Sequence, residues 1–259
     1  QQIKPKTLYF GGGTPTSLRT EQLDVLLQGI SNRIDLSTVR EWTFEANPAT
    51  LHQDKAELLR SHGVNRISLG VQSWNPKTLA TLGRIHSPLQ SDESLRILRQ
   101  TGFRSVNIDL MFAIPTQTPE EWETDLEDTA QRHPDHVSAY CLTYEEDTEF
   151  FRKLGAGQFH RDELTEERFF RSAMEFLPSK GLQQYEISNY ARPGHESQHN
   201  FACWSGNDYL GFGPSAFSTV GLSRTQNAPD TSAYIKALSE NHPAPRTEEP
   251  LTHATRNAR

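Results

Sequence analysis

Cysteine is scarce in this chain: 259 residues hold only Cys141 and Cys203. Two thiols exclude a disulfide framework and point to a reducing, cytoplasmic home. They are also too few for a four-iron cluster, which takes three or four thiolates. Long apolar runs are missing as well, so no segment reads as a bilayer span. No charged-then-apolar leader opens the chain, and no secretory signal is expected. Positive charge is in deficit, with a net charge of −7, which argues against nucleic acid as a partner. The histidines His52, His62, His86, His133, His136 and His160 show no paired spacing with cysteine that would make a metal site.

What is present is an α/β pattern. Hydrophobic residues make up 34% of the chain and charged residues 23%, a polar but soluble globular composition. Residues 7–11, 42–46, 66–72, 106–114 and 136–143 read as strands. Helical periodicity lies between them: Leu23, Leu26, Leu27 and Ile30 share one face, as do Leu95 and Leu98. Pro119-Glu120-Glu121 opens a further helix, and residues 163–177 form another. Strand–helix repetition predicts a parallel sheet, either closed as a barrel or open. A short sixth strand is expected over residues 185–187, and a Gly-, Pro- and Asn-rich module from about Ser188. Both ends read as cuts, which suggests part of a longer protein.

Alternation within the strands is more specific. Trp42, Phe44 and Ala46 oppose Thr43, Glu45 and Asn47; Ile67, Leu69 and Val71 oppose Ser68, Gly70 and Gln72. Val106, Ile108 and Leu110 oppose Asn107, Asp109 and Met111. Parallel strands are normally apolar on both faces. One polar face implies a solvated or ligand-filled lumen instead of a packed barrel interior.

Several residues stand out on that face and at its rim. Gly11-Gly12-Gly13-Thr14-Pro15-Thr16 joins a strand to a helix and can bring backbone amides close to an anionic ligand. The alternative is a flexible connector. It is neither a Walker loop nor the dinucleotide fingerprint. Glu45 ends an inward face and needs a partner, either a ligand or Arg66 or Arg84. Gln72 ends the next strand, Arg84 follows it, and Asp109 sits between Ile108 and Leu110. A ribose hydroxyl pair or a structural cap would satisfy Asp109. Cys141, amid apolar strand residues, reads as a core thiol.

Seven blocks in order carry a resemblance. They are Leu8-Tyr9-Phe10-Gly11-Gly12-Gly13-Thr14-Pro15-Thr16, Thr43-Phe44-Glu45-Ala46-Asn47-Pro48 and Ser68-Leu69-Gly70-Val71-Gln72-Ser73, then Val106-Asn107-Ile108-Asp109-Leu110-Met111 and residues 138–143. Tyr185-Glu186-Ile187-Ser188-Asn189-Tyr190-Ala191 and Tyr209-Leu210-Gly211-Phe212-Gly213-Pro214-Ser215-Ala216 complete them. Together they resemble the oxygen-independent coproporphyrinogen III oxidase-like family of radical S-adenosylmethionine (radical SAM) proteins. The resemblance implies a partial (β/α)6, TIM-like radical SAM barrel over residues 1–187, lacking its first strand and cluster loop, and the start of a small C-terminal module over 188–259. It implies S-adenosylmethionine contacts at Gly12, Gly13, Thr14, Glu45, Gln72, Arg84 and Asp109, with Thr143 at a similar strand end. The family's cysteines for a 4Fe-4S cluster would lie upstream of Gln1.

Pro193-Gly194-His195-Glu196 and His199-Asn200 are similar to the heme-chaperone branch, whose His-Asn-x-x-Tyr motif is implicated in heme binding. Here Cys203 takes the tyrosine position. His199, Asn200 and Cys203 are therefore the heme candidates, since imidazole and thiolate both ligate heme iron. A loop-anchoring role for His199 is the alternative. The implied function is a heme chaperone that binds heme and S-adenosylmethionine and serves membrane-associated respiratory heme proteins. A porphyrinogen oxidase of the same family and an inactive fragment are the other readings.

Overall fold

The computed structural model describes residues 3–146 and 148–257. The outermost positions of the two expected domains, 1–2 and 258–259, lie outside them. The chain divides into two compact units, one ending at Glu196 and one beginning at Ser197.

The first unit is built on β1 (Thr7–Phe10), α1 (Thr20–Ser31), β2 (Glu41–Ala46), α2 (Gln53–Ser61), β3 (Arg66–Gln72), α3 (Pro76–Thr81), α4 (Pro88–Thr101), β4 (Ser105–Phe112), α5 (Pro119–Gln131) and β5 (His136–Cys141). It continues through α6 (Glu149–Gly155), α7 (Glu163–Ser179), β6 (Gln183–Glu186) and β7 (Asn189–Ala191). The seven strands form one curled half-barrel sheet in the order β1-β2-β3-β4-β5-β7-β6. β1 to β5 are parallel, as their helical connections require. β7 runs antiparallel to both β5 and β6.

Local sequence sets the helix starts. Ser87 and Gln90 form a capping box on α4, and Thr118 and Glu121 form one on α5, each with proline at the first turn. The helices then cover one face of the sheet. Leu23, Leu27, Leu59, Leu98, Trp122, Phe169 and Leu177 pack with Trp42, Phe44, Ile67, Leu69, Ile108, Leu110 and Val137 in a single core. Burying each such side chain contributes about 1.5–3 kcal/mol. The Trp122 indole nitrogen keeps a partner there, donating to the Phe169 carbonyl at 2.9 Å.

Two expectations change. The predicted sixth strand is the edge half of a hairpin, with Ile187 and Ser188 between β6 and β7. Buried Tyr190 and Ala191 draw β7 into the sheet, so the first unit continues past residue 187 to Glu196. The second unit is not mainly loop. It has α8 (Gln198–Trp204), β8 (Phe217–Val220), β9 (Ser223–Asn227), α9 (Thr231–Ser239), β10 (Arg246–Pro250) and α10 (His253–Asn257). Its sheet is antiparallel in the order β10-β9-β8. Arg256 pins α10 by donating to the Gly206 carbonyl at 2.8 Å, to Asp208 at 2.7 Å and to the Gly221 carbonyl. No helix among the described residues is long and apolar enough to cross a membrane.

Candidate functional site

The face of the sheet away from the core is polar, and the glycine loop sits at its rim. The Tyr9 phenol on β1 donates to Glu45 Oε1 on β2 at 2.6 Å. Burial pushes the Glu45 carboxyl above its usual value, against the opposing contacts of Tyr9 and the Gly12 amide. Burial, with Glu45 beside it, pushes the Tyr9 phenol up as well, so it stays a donor. Gly11 is required by proximity: a Cβ there would lie 2.6 Å from a Tyr9 ring carbon and 2.8 Å from Glu45 Oε1. Gly12 holds φ at +82°, a left-handed backbone that suits glycine. Downstream, buried Thr16 fixes the loop. Its hydroxyl lies 2.7 Å from that of Thr50, and its carbonyl accepts from Lys55 Nζ at 2.7 Å.

A ladder of hydrogen bonds crosses the middle of this face. Glu45, Ser68, Asn107 and His136 are register neighbours on four successive strands. Asn107 Nδ2 donates to Ser68 Oγ at 2.6 Å and to Asp109 Oδ1 at 2.7 Å. Ser68 Oγ donates to both Asp109 oxygens at 3.2 and 3.1 Å. His136 Nδ1 lies 2.6 Å from Asn107 Oδ1, and its Nε2 lies 2.7 Å from the Tyr185 hydroxyl. Ser138 Oγ continues to Asn189 Oδ1 at 3.1 Å, which brings the hairpin into the network. Burial raises the Asp109 carboxyl to about 6, with Glu45 adding to the rise and Asn107 and Ser68 opposing it. Burial holds the His136 imidazole well below its usual value, so it is neutral.

The tip of β3 is shaped separately. Gln72 has φ of 70° and follows an irregularity in the β3–β4 pairing. The loop beyond it is tied down on the helical side. Asp125 accepts from Ser73 Oγ at 2.6 Å and from the Trp74 amide at 2.7 Å, and His86 Nε2 meets the Val71 carbonyl at 3.0 Å. Arg84 emerges from this loop. Desolvation pushes its guanidinium down, and the Asp109 charge opposes that.

The structure thus brings Gly12, Glu45 and Asp109 to one face, with Gln72 and Arg84 at its rim. Glu45 meets Tyr9, where the sequence suggests Arg66 or Arg84. Gly13 and Thr14 belong to the same loop, Gly13 exposed and Thr14 half-buried. Thr143 is not brought in: β5 ends at Cys141 and Thr143 is exposed beyond it. His199, Asn200 and Cys203 lie on α8 in the second unit. Ser197 Oγ caps that helix through the Asn200 amide at 3.4 Å, and Cys203 Sγ is 3.8 Å from His199 Nε2. Burial raises the Cys203 thiol, and Phe201 and Trp204 are exposed on the same helix. Sequence reasoning gave no site role to Tyr9, His136 or Tyr185. The alternation of polar residues held that signal, because His136 and Tyr9 continue the same inward face.

The radical SAM superfamily model matches residues 1–129. The heme chaperone HemW of Haemophilus influenzae is 34% identical over 258 residues, which cover 97% of this chain and 67% of the relative. The chain belongs to the radical SAM superfamily, in its heme chaperone HemW family. The HemW proteins of Bacillus subtilis and Escherichia coli are 36% and 39% identical, over 91% and 83% of the chain. The chain spans 62% and 56% of their lengths. Among solved structures, the E. coli coproporphyrinogen III oxidase, a radical SAM enzyme, superposes with a TM-score of 0.80 at 26% identity. That likeness covers 96% of this chain and 60% of the oxidase.

Membership in the radical SAM superfamily implies S-adenosylmethionine and a 4Fe-4S cluster as cofactors. The polar face suits the first: it presents acceptors at Glu45 and Asp109, with the positive charge of Arg84 acting on Asp109. The thiols present do not fit the second. Cys141 and Cys203 are half-buried in separate units, and the described residues hold no group of three or more His, Cys, Asp or Glu placed for a metal ion.

Proposed function

We propose that the chain is the cofactor-binding barrel and heme-contacting part of a cytoplasmic heme chaperone that passes heme to membrane-associated respiratory proteins. The observation that carries this reading is the pairing of His199 with Cys203 on α8, 3.8 Å apart, within a chain similar to HemW proteins along 97% of its length. His199 is the axial ligand in this reading. Burial keeps the Cys203 thiol protonated, which leaves the imidazole as the better donor to iron. Phe201 and Trp204 supply exposed apolar surface for a flat macrocycle.

In the lumen, Glu45 and the Gly12 amide hold the amino-acid end of S-adenosylmethionine, Asp109 accepts from ribose hydroxyls, and Gln72 and Arg84 close the rim around it. Gly13 and Thr14 line the approach, and Thr143 has at most a peripheral contact. S-adenosylmethionine, when bound, supplies a sulfonium whose cleavage needs an electron from a cluster. The residues here bind and orient it. The likeness to the oxidase keeps porphyrinogen decarboxylation as a second reading for the complete protein.

Heme titration followed by absorbance tests the proposal. A Soret shift is expected in the wild type, and His199→Ala is expected to weaken binding about tenfold or more. No shift, or a shift indifferent to His199→Ala, overturns the heme assignment.

A further inference from the structure

Gln72 ends β3 in a conformation that its residue type disfavours. Its φ is 70°, and across it the Ser73 amide donates to the Val71 carbonyl at 2.9 Å. This is a γ-turn of the positive-φ form, which is rare and strained, and glycine would adopt it at less cost. The side chain gives the turn a purpose. In register Gln72 pairs with Leu110, a core residue. Its carboxamide nevertheless folds back over Gly70, where a Cβ would lie 3.0 Å from Gln72 Nε2. Gly70 follows Ser68 by two residues on the inward face, so the γ-turn and the missing Cβ together lay the carboxamide onto that face.

The turn is held from the helical side of the sheet. Asp125 on α5 is buried and takes one donor on each oxygen: Ser73 Oγ at 2.6 Å and the Trp74 amide at 2.7 Å. Ser73 Oγ accepts in turn from the Asn75 amide at 3.0 Å. One α5 turn further on, Thr129 Oγ1 accepts from the Trp74 indole at 2.8 Å, and the Arg132 guanidinium lies 3.6 Å over that ring. Arg132 also pairs with Asp92 on α4 at 2.7 Å. Positions 125, 129 and 132 share a helix face, so one stripe of α5 grips the residues that follow Gln72. On the other side of Gln72, buried His86 donates through Nε2 to the Val71 carbonyl at 3.0 Å.

We infer that Asp125 is a positioning residue: it locks the turn that keeps the Gln72 carboxamide on the ligand face while touching no ligand itself. Backbone strain of this kind persists only where the surroundings over-determine it, and here both ends of the turn are pinned. The chemistry of the clamp is specific. Two donors converge on Asp125, and an ionised carboxylate is acceptor-only at both oxygens. Bonds to a charged acceptor are about twice as strong as neutral ones. An amide in its place would turn a donor toward Ser73. The inference rests on the reading that S-adenosylmethionine binds in the lumen with Gln72 at its rim.

Calorimetric titration of the whole chain with S-adenosylmethionine tests it, beside amide hydrogen exchange of the free protein. Both are run at pH 8, where the Asp125 carboxyl, raised to about 6, is ionised. Asp125→Asn is expected to weaken binding about tenfold. In a Gln72→Ala background the same substitution is expected to change affinity by less than about twofold, because the side chain that it positions is gone. In exchange, the Trp74 amide is expected to open about tenfold faster in Asp125→Asn, with the amides of β4 and β5 unchanged. Should Asp125→Asn fail to fold, Ser73→Ala removes one arm of the clamp and is expected to show a smaller loss that again vanishes with Gln72→Ala. Unchanged affinity, or an equal loss with and without Gln72, overturns the inference and leaves the cofactor reading standing. A wild type that binds no S-adenosylmethionine overturns the cofactor reading. Exchange then decides the clamp by itself: faster opening at Trp74 upholds it, and unchanged opening overturns it.

Discussion

The two faces of the seven-stranded sheet are made by the same strands and held by different forces. The outer face is apolar, and its largest side chains reach zero exposure against the helices. The inner face carries directed hydrogen bonds, from Tyr9 to Glu45 on one side and from Ser68 through Asn107 and Ser138 to Asn189 on the other, and still leaves Thr43 Oγ1, Arg66 Nε and Ser105 Oγ without a partner. The outer face contributes most of the stability by removing apolar surface from water. The inner face gives up stability to keep polar groups available. A strand with a two-residue period can do both at once.

That contrast is sharpest where a large outer side chain is removed. Phe44→Ala is expected to cost about 3–5 kcal/mol in urea unfolding and to leave S-adenosylmethionine affinity of the folded fraction unchanged. A parallel fall in affinity would break the division between faces. The inner face has a pH signature of the opposite kind. Asp109 is raised to about 6 from an ordinary 3.8, so the folded state binds more protons than the unfolded state between those values. Stability is then fullest near pH 4 and falls by about 1–3 kcal/mol as pH rises through 6. Asp125, also raised to about 6 by burial, adds a slope of the same sign. Asp109→Asn should remove about half of the total, measured as unfolding free energy against pH.

Gly11→Ala probes the seam between the rim and the lumen. Its Cβ would meet Tyr9 and Glu45 at 2.6 and 2.8 Å, so a loss of about 1–3 kcal/mol is expected in thermal or urea unfolding. The smallest effect belongs to Thr43→Val, which removes an orphaned hydroxyl at constant shape. It should leave stability unchanged or raise it by about 1 kcal/mol, against the loss expected on the outer face.

Much of this was readable from residue order alone. The β3 limits agree, and the other parallel strands differ only at their ends, because period-two alternation of Trp42, Phe44, Ile67 and Leu69 is a strong local signal. α2 and α3 were harder. α2 buries only Ala56 and Leu59, too few apolar positions to mark a stripe. The hairpin was missed because Tyr185-Glu186-Ile187 reads as one strand, while the force that creates β7 is the distant pairing of Asn189 with Ser138. The Gly12, Glu45 and Asp109 cluster was legible through polar interruptions of apolar strands. Arg66 was visible only as a counterion for Glu45, since register decides which neighbours it has.

The ladder also has a direction. Asn107 turns its amide nitrogen to Ser68 and Asp109, so its oxygen faces His136. His136 must then donate through Nδ1 and accept at Nε2, and the Tyr185 hydroxyl must supply that proton. Donors therefore run one way, from Tyr185 through His136 and Asn107 to a carboxylate, and bonds so aligned polarise one another. A single imidazole tautomer, fixed by an amide flip 2.6 Å away, sets the orientation of the line from the hairpin to Asp109.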